Sequence, residues 1–186
     1  MAWRPPAVTG LRQEITGKEE TLAILGQAAE HYGHPRPLFD AIGGALVVST
    51  QQRFEEEKEP GGDRWPASYR AMADGGKTLT DSGRLVRSIT HNATDDGVEV
   101  GTDVIYAAIQ QLGGIVRAKT KKGLRFRVGG RNGSWVTKQS VFIPARPFLG
   151  LDAEDEKDIR AISEQWIAKP WASAIDGDND LGGVSP

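Results

Sequence analysis

Leu79-Thr-Asp-Ser-Gly-Arg-Leu-Val-Arg-Ser-Ile89 opens the part of the chain that decides the fold, and two further pieces follow it in order. They are Val98-Glu-Val-Gly-Thr-Asp-Val-Ile-Tyr-Ala-Ala-Ile-Gln-Gln-Leu-Gly-Gly114 and Ile143-Pro-Ala-Arg-Pro-Phe-Leu-Gly150. All three consist of turn formers, short apolar runs, helix caps and one arginine between two prolines. None has the form of a recognisable reaction centre. Such residues are typical of a scaffold that assembles with copies of itself.

The first two pieces predict a small antiparallel sheet with a short inserted helix. Asp95-Asp96-Gly97 is a hairpin signal of the Asp-Gly kind, between strands that include residues 89–94 and 98–100. Gly101-Thr102-Asp103 can cap the helix, which the glycine pair 113–114 ends. The apolar positions of this helix recur at helical spacing and are Ile105, Ala108, Ile109 and Leu112.

The segment from Ile115 to Phe142 predicts one long hairpin. Its outgoing arm holds residues 115–117 and 124–128, a glycine-rich turn covers 129–133, and the return arm holds residues 135–136 and 141–143. Beyond it, Leu151-Asp152 caps a last helix, because three acidic residues follow and favour a helix start. The apolar positions of that helix are Ile159, Ile162, Trp166 and Ile167.

Two helices are predicted before the deciding stretch. The first begins at Lys18 and is stopped by Gly33 and Pro35, and the second begins at Pro37. The glycine pair 43–44 inside the second helix indicates close packing against a neighbouring backbone, with a hinge as the less favoured alternative. The predicted apolar side of this helix comprises Leu38, Ile42, Ala45, Leu46, Ser49 and Phe54, and its polar positions include Gln51, Gln52, Arg53 and Glu55 to Glu57.

Together these elements predict an α+β fold with N-terminal helices, a small antiparallel sheet carrying a long hairpin and a short inserted helix, and a C-terminal helix. The chain has 186 residues, 38% of them hydrophobic, which suffices for one modest core. We therefore predict an N-terminal arm over residues 1–17, a single domain over 18–170 with a basic hairpin insertion at 117–140, and a flexible tail over 171–186.

Composition bounds the classes of function. The formal net charge of -2 gives no global field that would hold nucleic acid or an acidic membrane. The absence of cysteine fits folding in a reducing cytoplasm, and the N-terminus lacks the apolar core of a signal peptide. No apolar run approaches the roughly 18–20 residues that span a bilayer. We expect a soluble protein that is made in the cytoplasm and does not enter a membrane.

Candidate reaction centres are weak. His31 and His34 lie three residues apart and can share one helical turn, but the sequence offers no third ligand nearby, and surface histidines at a helix end are the simpler explanation. Ser82 has no nucleophile-elbow motif around it. The glycine-rich residues 129–134 lack the lysine of a phosphate-binding loop. We therefore expect no enzymatic activity, no cofactor and no metal.

The predicted long hairpin is strongly basic, with Phe126 among its cations. Such a patch can neutralise phosphates without reading bases. Alternatively, its charges are solvated and discourage edge-to-edge aggregation of the strands. The residues that face DNA under the first interpretation are Lys119, Lys121, Lys122, Arg125 and Arg127.

Arg146 lies between Pro144 and Pro147, which stiffen its backbone. A guanidinium held in this way loses less freedom when it forms a bidentate pair. Its partner can be a carboxylate of the same subunit or one of the next subunit, and the sequence leaves both alternatives open.

The order and spacing of several fragments between Leu38 and Ala168 resemble the phage virion morphogenesis family of tail-completion proteins. The fragments are Phe54 with Pro60-Gly-Gly-Asp-Arg-Trp-Pro66, Leu79-Thr-Asp-Ser-Gly-Arg-Leu85 with Ser88-Ile89, Val100-Gly-Thr102, Tyr106-Ala-Ala-Ile-Gln-Gln-Leu-Gly-Gly114, and Ile143-Pro-Ala-Arg-Pro-Phe-Leu-Gly150 with Asp155-Glu156. Leu112 departs from the family pattern, in which an aromatic residue is frequent, and residues 119–140 match poorly.

The resemblance implies a structural protein of the virion tail and neck. It implies a ring, by analogy a hexamer, at the head-proximal end of the tail, in contact with the tail tube protein and the head-neck connector protein. A closed ring needs heterologous contacts between different faces of neighbouring subunits. On this basis we predict a subunit or partner interface that includes Tyr106, Gln110, Leu112, Arg146, Phe148 and Leu149.

Overall fold

The computed structural model describes the backbone of residues 18–176 and the side chains of residues 23–170. The predicted arm over residues 1–17 lies outside this range. The chain divides into two compact units, one formed by residues 34–167 and one that includes residues 18–33 and those from 168 onward. The single domain predicted over 18–170 therefore differs from the observed division. The stretch that decides the fold, residues 79–150, lies wholly in the larger unit.

The first two helices lie close to where the sequence predicts them. Lys18–Gly33 forms α1 and Arg36–Glu56 forms α2, which ends where Glu57 adopts a left-handed conformation with φ 58°. The remaining helices are α3 (Tyr69–Asp74), α4 (Arg84–Arg87), α5 (Ala107–Leu112) and α6 (Ala153–Asp176). Within the described range, none of the helices is long and apolar enough to cross a membrane.

Helix α6 passes through Pro170 and ends at Asp176. The tail predicted from residue 171 therefore begins too early, and its residues 177–186 lie outside the described range. Proline interrupts a helix because it lacks a backbone donor and crowds the preceding turn, but a helix can continue past it when the other bonds hold. The flanking alanines, which have the highest helix propensity, explain why composition alone gives the wrong boundary.

Six strands in the described part of the chain pair as three antiparallel ladders of two strands each, rather than as one sheet. β1 (Thr90–Ala93) pairs with β2 (Val98–Gly101). The long hairpin is confirmed: at its base β3 (Gly114–Arg117) pairs with β6 (Ser140–Ile143), and beyond it β4 (Leu124–Val128) pairs with β5 (Ser134–Lys138). The Asp-Gly turn is also confirmed, because the Thr94 amide donates to the Gly97 carbonyl over 2.9 Å.

The core collects apolar residues from α2, from the loop that follows it and from residues 79–150. Phe54 lies at its centre, with ring centroids 5.3 Å from Trp65 and 5.2 Å from Phe148. Tilted aromatic contacts of this kind add to the stabilisation from burial alone. The buried members of the core cluster are Phe54, Trp65, Leu85, Ile89, Val104, Ala107 and Phe148.

Helix α2 crosses the β1–β2 ladder at Gly43. A Cβ atom on Gly43 would lie 2.5 Å from Cδ2 of His91 and 2.8 Å from Cγ2 of Val98, which is too close for any side chain. Close packing is therefore confirmed at Gly43, although its neighbours are side chains and not the backbone that the prediction named. The prediction is wrong at Gly44, where a Cβ atom would meet nothing within 4 Å.

The predicted faces of two helices need correction. On α2, the sequence pattern assigns Arg53 to the polar positions, but its side chain is buried. The short inserted helix begins at Ala107, later than the cap at residues 101–103 predicts, and its predicted apolar face points mostly outward: Ile105 is 98% exposed and Leu112 is 76% exposed. Val104 and Ala107 are buried in the core instead. Residues 105–106 form a turn before α5, so the apolar residues before and within the helix do not share one helical face.

Candidate assembly interface

The loop of residues 144–150 is held to α5 by the side chain of Gln111. Its Oε1 accepts hydrogen bonds from the backbone amides of Phe148, over 2.9 Å, and Leu149, over 3.0 Å. Its Nε2 donates to the carbonyl of Leu149 over 2.8 Å. One amide side chain thus satisfies three backbone groups of the loop, as the backbone of a neighbouring strand does in a sheet.

Arg53 holds the other end of the same loop. Its Nη1 donates to the carbonyls of Phe148 over 3.2 Å and Gly150 over 2.8 Å. Its Nη2 donates to the carboxylates of Asp152, over 2.9 Å, and Asp155. A single guanidinium therefore connects α2 to the loop and to the first turn of α6.

Asp152 also caps α6, as the sequence predicts. Its Oδ1 accepts from the backbone amides of Glu154 and Asp155, each over 3.0 Å. The pKa of Asp152 lies below its ordinary value, chiefly because the Asp155 amide donates to it and also because Arg53 pairs with it. The carboxylate is thus fixed in its charged form at the start of the helix, where the helix dipole favours it.

Arg146 pairs with no carboxylate of the described residues, so the alternative of a carboxylate partner within the subunit is wrong. Its Nε donates to the carbonyl of Pro66 over 2.7 Å, and its Nη1 donates to Oε1 of Gln110 over 3.1 Å. Both acceptors belong to the same chain and both are neutral. The side chain is only 6% exposed, and burial lowers the pKa of its guanidinium. A positive charge is thus enclosed beside acceptors that do not neutralise it.

A pocket of about 370 Å³ opens over Arg146. We call it the arginine pocket, because Arg70, Arg84 and Arg146 line it together with a single carboxylate, that of Asp81. The Asp81 carboxylate lies 3.8 Å from Arg70 and 3.3 Å from Arg131, so its charge is already engaged by other arginines. Tyr106, Gln110, Ser82 and Leu79 are among the other lining residues.

The structure separates the predicted interface residues into two groups. Tyr106 and Leu112 have exposed side chains, and Gln110 and Arg146 line the arginine pocket. Phe148, in contrast, is fully buried in the core of its own chain, and Leu149 packs against that core. The assignment of the Phe148 side chain to an interface is therefore corrected: its apolar ring stabilises the subunit itself.

Exposed apolar side chains cluster on either side of the glycine pair 113–114. Ile105, Tyr106 and Leu112 precede it on α5 and its approach, and Ile115 follows on β3. Phe142, which is 69% exposed, is the register partner of Ile115 in the β3–β6 ladder. We call these five residues the apolar surface. Contiguous exposed apolar patches are typical of sites of protein association, and the Ile115–Phe142 register pair joins two of these five residues across the ladder.

The predicted DNA-facing cations are all exposed. The structure brings two of them together: the guanidinium carbons of Arg125 and Arg127 lie 4.6 Å and 4.9 Å from the ring centroid of Trp135. Sequence reasoning missed this contact, although the alternation of residues along β4 and the register with β5 contain its signal. Lys119, Lys121 and Lys122 lie in the connection between β3 and β4.

Within the described residues, no group of three or more histidine or acidic side chains is placed to hold a metal ion. His31 lies in the last turn of α1 and His34 lies between α1 and α2. The apolar surface, the arginine pocket and the basic hairpin are features of the described residues that can bind another molecule.

Comparison with known proteins identifies the class of protein. The Mu-like prophage FluMu G protein 2 of Haemophilus influenzae is 34% identical over 146 residues, which cover 78% of this chain and 88% of the relative. The putative capsid assembly protein G of Escherichia phage Mu is 33% identical over 144 residues, which cover 73% and 78%. No solved structure matches the chain. Residues 17–168 match the phage virion morphogenesis family, so the chain belongs to that family and acts in building the phage particle.

Proposed function

We propose that this protein completes the phage tail as a ring, with a hexamer as the expected form, at the end of the tail that faces the head. There it contacts the tail tube protein on one side and the head-neck connector protein on the other. In this proposal it acts by assembly alone and catalyses no reaction. The observation that carries the proposal is the apolar surface, above all Ile105, whose side chain is 98% exposed.

The energetics of that surface favour association. Burying one side chain of the size of leucine or phenylalanine contributes about 1.5–3 kcal/mol. This stabilisation is gained at Ile105, Leu112 and Phe142 only when another protein covers them, because their side chains are mostly exposed in the subunit. Since a closed ring joins unlike faces, the surface need not meet its own copy.

Oligomeric state tests the proposal directly. Mass photometry and negative-stain imaging of the purified protein, alone and with tail tube protein, are expected to show rings. Substituting Ile105→Ser together with Leu112→Ser is expected to abolish them without lowering the thermal midpoint, because neither side chain is buried in the subunit. The matched control is Leu25→Ser, at an exposed apolar position of α1 outside the apolar surface.

The position of the protein in the particle tests whether it lies at the end of the tail that faces the head. Antibody labelling of finished virions is expected at the junction of head and tail. Labelling of the capsid shell alone, or a protein that stays monomeric in the virion, would contradict a role in tail completion.

A second candidate function is contact with phage DNA through the basic hairpin. It is favoured by the arrangement of Arg125 and Arg127 over Trp135, since arginine and aromatic side chains together suit a nucleic-acid backbone and bases. Binding by this route is expected to weaken steeply with salt. Neutralising Lys121, Lys122, Arg125 and Arg127 is expected to reduce the salt slope by about one for each cation that no longer meets a phosphate. Binding that is unchanged in this variant would exclude the hairpin.

A further inference from the structure

We propose that the arginine pocket receives a carboxylate side chain from the α2–α6 surface of a second copy of this chain. This inference rests on the self-association proposed above and names one of its contacts. It starts from Arg146, the charge that the subunit encloses without neutralising.

The charge of Arg146 is incompletely satisfied. Its Nε and Nη1 donate to a backbone carbonyl and to an amide oxygen, and its Nη2 donates to none of the described residues. Removing a charge from water is unfavourable unless it is paired as well as hydrogen-bonded. Because Asp81 is engaged by Arg70 and Arg131, the pocket retains a net positive charge that an incoming carboxylate would neutralise.

The pocket is open to such a group. It has room for a side chain, and the exposed Arg84 and Ser82 stand at its rim. Tyr106 lines the pocket and also belongs to the apolar surface, so the two features share one residue. A partner that contacts Tyr106 therefore lies beside the pocket.

The same unit of the chain carries a complementary surface between α2 and the start of α6. Acidic residues dominate the groove there: Glu56, Asp152, Glu154, Asp155 and Asp158 line it, with Arg53 as its cation. Arg53 neutralises Asp152 and Asp155, and Glu154 pairs with Lys157. The exposed Asp158 forms no ion pair within the described residues, so its carboxylate is the one available for a neighbour.

Opposite charge at two separate sites of one subunit, with no lining residue in common, suits a head-to-tail contact. In a ring, each copy presents its arginine pocket to one neighbour and its acidic groove to the other. Complementary charges of this kind select the correct faces and fix the register of the contact. We therefore assign the Asp158 carboxylate of one copy to the arginine pocket of the next.

Cross-linking tests this pairing, because the chain contains no cysteine of its own. A Ser82→Cys protein and an Asp158→Cys protein are mixed and oxidised. A disulfide-linked dimer is expected in the mixture and not in either protein alone. The matched control replaces Asp158→Cys by Glu99→Cys, at an exposed position of β2, and is expected to give no specific dimer.

Charge reversal provides the second measurement. Arg84→Glu and Asp158→Arg are each expected to weaken self-association about three- to tenfold, as exposed pairs do when attraction becomes repulsion. Combining both in one chain is expected to restore it. Both sites are exposed, and an unchanged thermal midpoint for each variant verifies folding.

The outcomes separate the inference from the proposed function. The inference is wrong if oligomers form normally, no cross-link appears between Ser82→Cys and Asp158→Cys, and neither charge reversal weakens self-association. The proposal of a ring would still stand in that case. Purified protein and virions that contain only monomers would overturn both. If Arg84→Glu lowers DNA binding and leaves the oligomer unchanged, the pocket takes phosphate and the carboxylate assignment is wrong.

Discussion

The guanidinium of Arg53, near the end of α2, pairs with the carboxylate of Asp155, in the first turn of α6, and both side chains are almost fully buried. The two residues are 102 positions apart in the sequence. Their contact closes the larger unit around the loop of residues 144–150. The stability of that loop, and of the pocket beside it, therefore depends on a charge pair in the interior.

Arg53→Met is expected to destabilise the protein by about 3–5 kcal/mol, because it leaves the buried carboxylate of Asp155 without its partner. Urea denaturation monitored by tryptophan fluorescence measures the change. Gln52→Met, at the exposed neighbouring position, is the matched control and is expected to change stability little. A loss below about 1 kcal/mol for Arg53→Met would show that the pair is not needed to hold the loop.

Gly43→Ala and Gly44→Ala are expected to have opposite effects on thermal stability. A methyl group at Gly43 would collide with His91 and Val98, so α2 must move away from the β1–β2 ladder. At Gly44 the same methyl group meets open space and raises helix propensity by up to about 1 kcal/mol. Differential scanning calorimetry compares the two variants. Equal midpoints would show that α2 does not pack on the ladder at Gly43.

Much of the architecture was predictable because it is local. The Asp95-Asp96-Gly97 turn, the long hairpin and the start of α2 each depend on neighbouring residues, so periodicity and turn chemistry identify them. The buried position of Arg53 was not predictable in this way. Its carboxylate partners lie about a hundred positions further along the chain, and an arginine on a helix is usually solvated.

The candidate site was predictable in part. Arg146 stands out between its two prolines, but only the fold shows that its acceptors are Pro66 and Gln110. Gln111 escapes notice in the sequence because it looks like its neighbour Gln110, although the two side chains perform different tasks. Phe148 lies in the same short motif as Arg146, and sequence proximity wrongly suggests that both are surface residues.

Asp152→Asn is expected to lower stability at neutral pH and to have a smaller effect in acid. The folded-state pKa of Asp152 lies below its ordinary value of 3.8, so its charged form is favoured by the fold. Its contribution is complete above 3.8 and is lost as the pH falls through the folded-state pKa. Urea denaturation of both proteins across this range measures the difference. A difference that grows towards acid pH would contradict the assignment.

Gln111→Leu is expected to cost about 1–3 kcal/mol, because two amides and one carbonyl of residues 148–149 lose their partner. Amide hydrogen exchange is expected to accelerate at Phe148 and Leu149. Gln111→Glu serves as a comparison, because it keeps the acceptor for both amides but replaces the donor to the Leu149 carbonyl with a carboxylate oxygen that repels it. Exchange that is unchanged in Gln111→Leu would mean that the loop is held by other contacts.

The hairpin between Gly114 and Ile143 is clamped at its base by one ladder and continued by another. The outer ladder is also tied to the body at its turn, because the Arg131 amide donates to the Asp74 carboxylate over 3.1 Å and the Arg131 guanidinium lies 3.3 Å from Asp81. Since Asp81 lines the arginine pocket, a change of charge at this turn alters the pocket as well. The hairpin and the pocket therefore vary together and not independently.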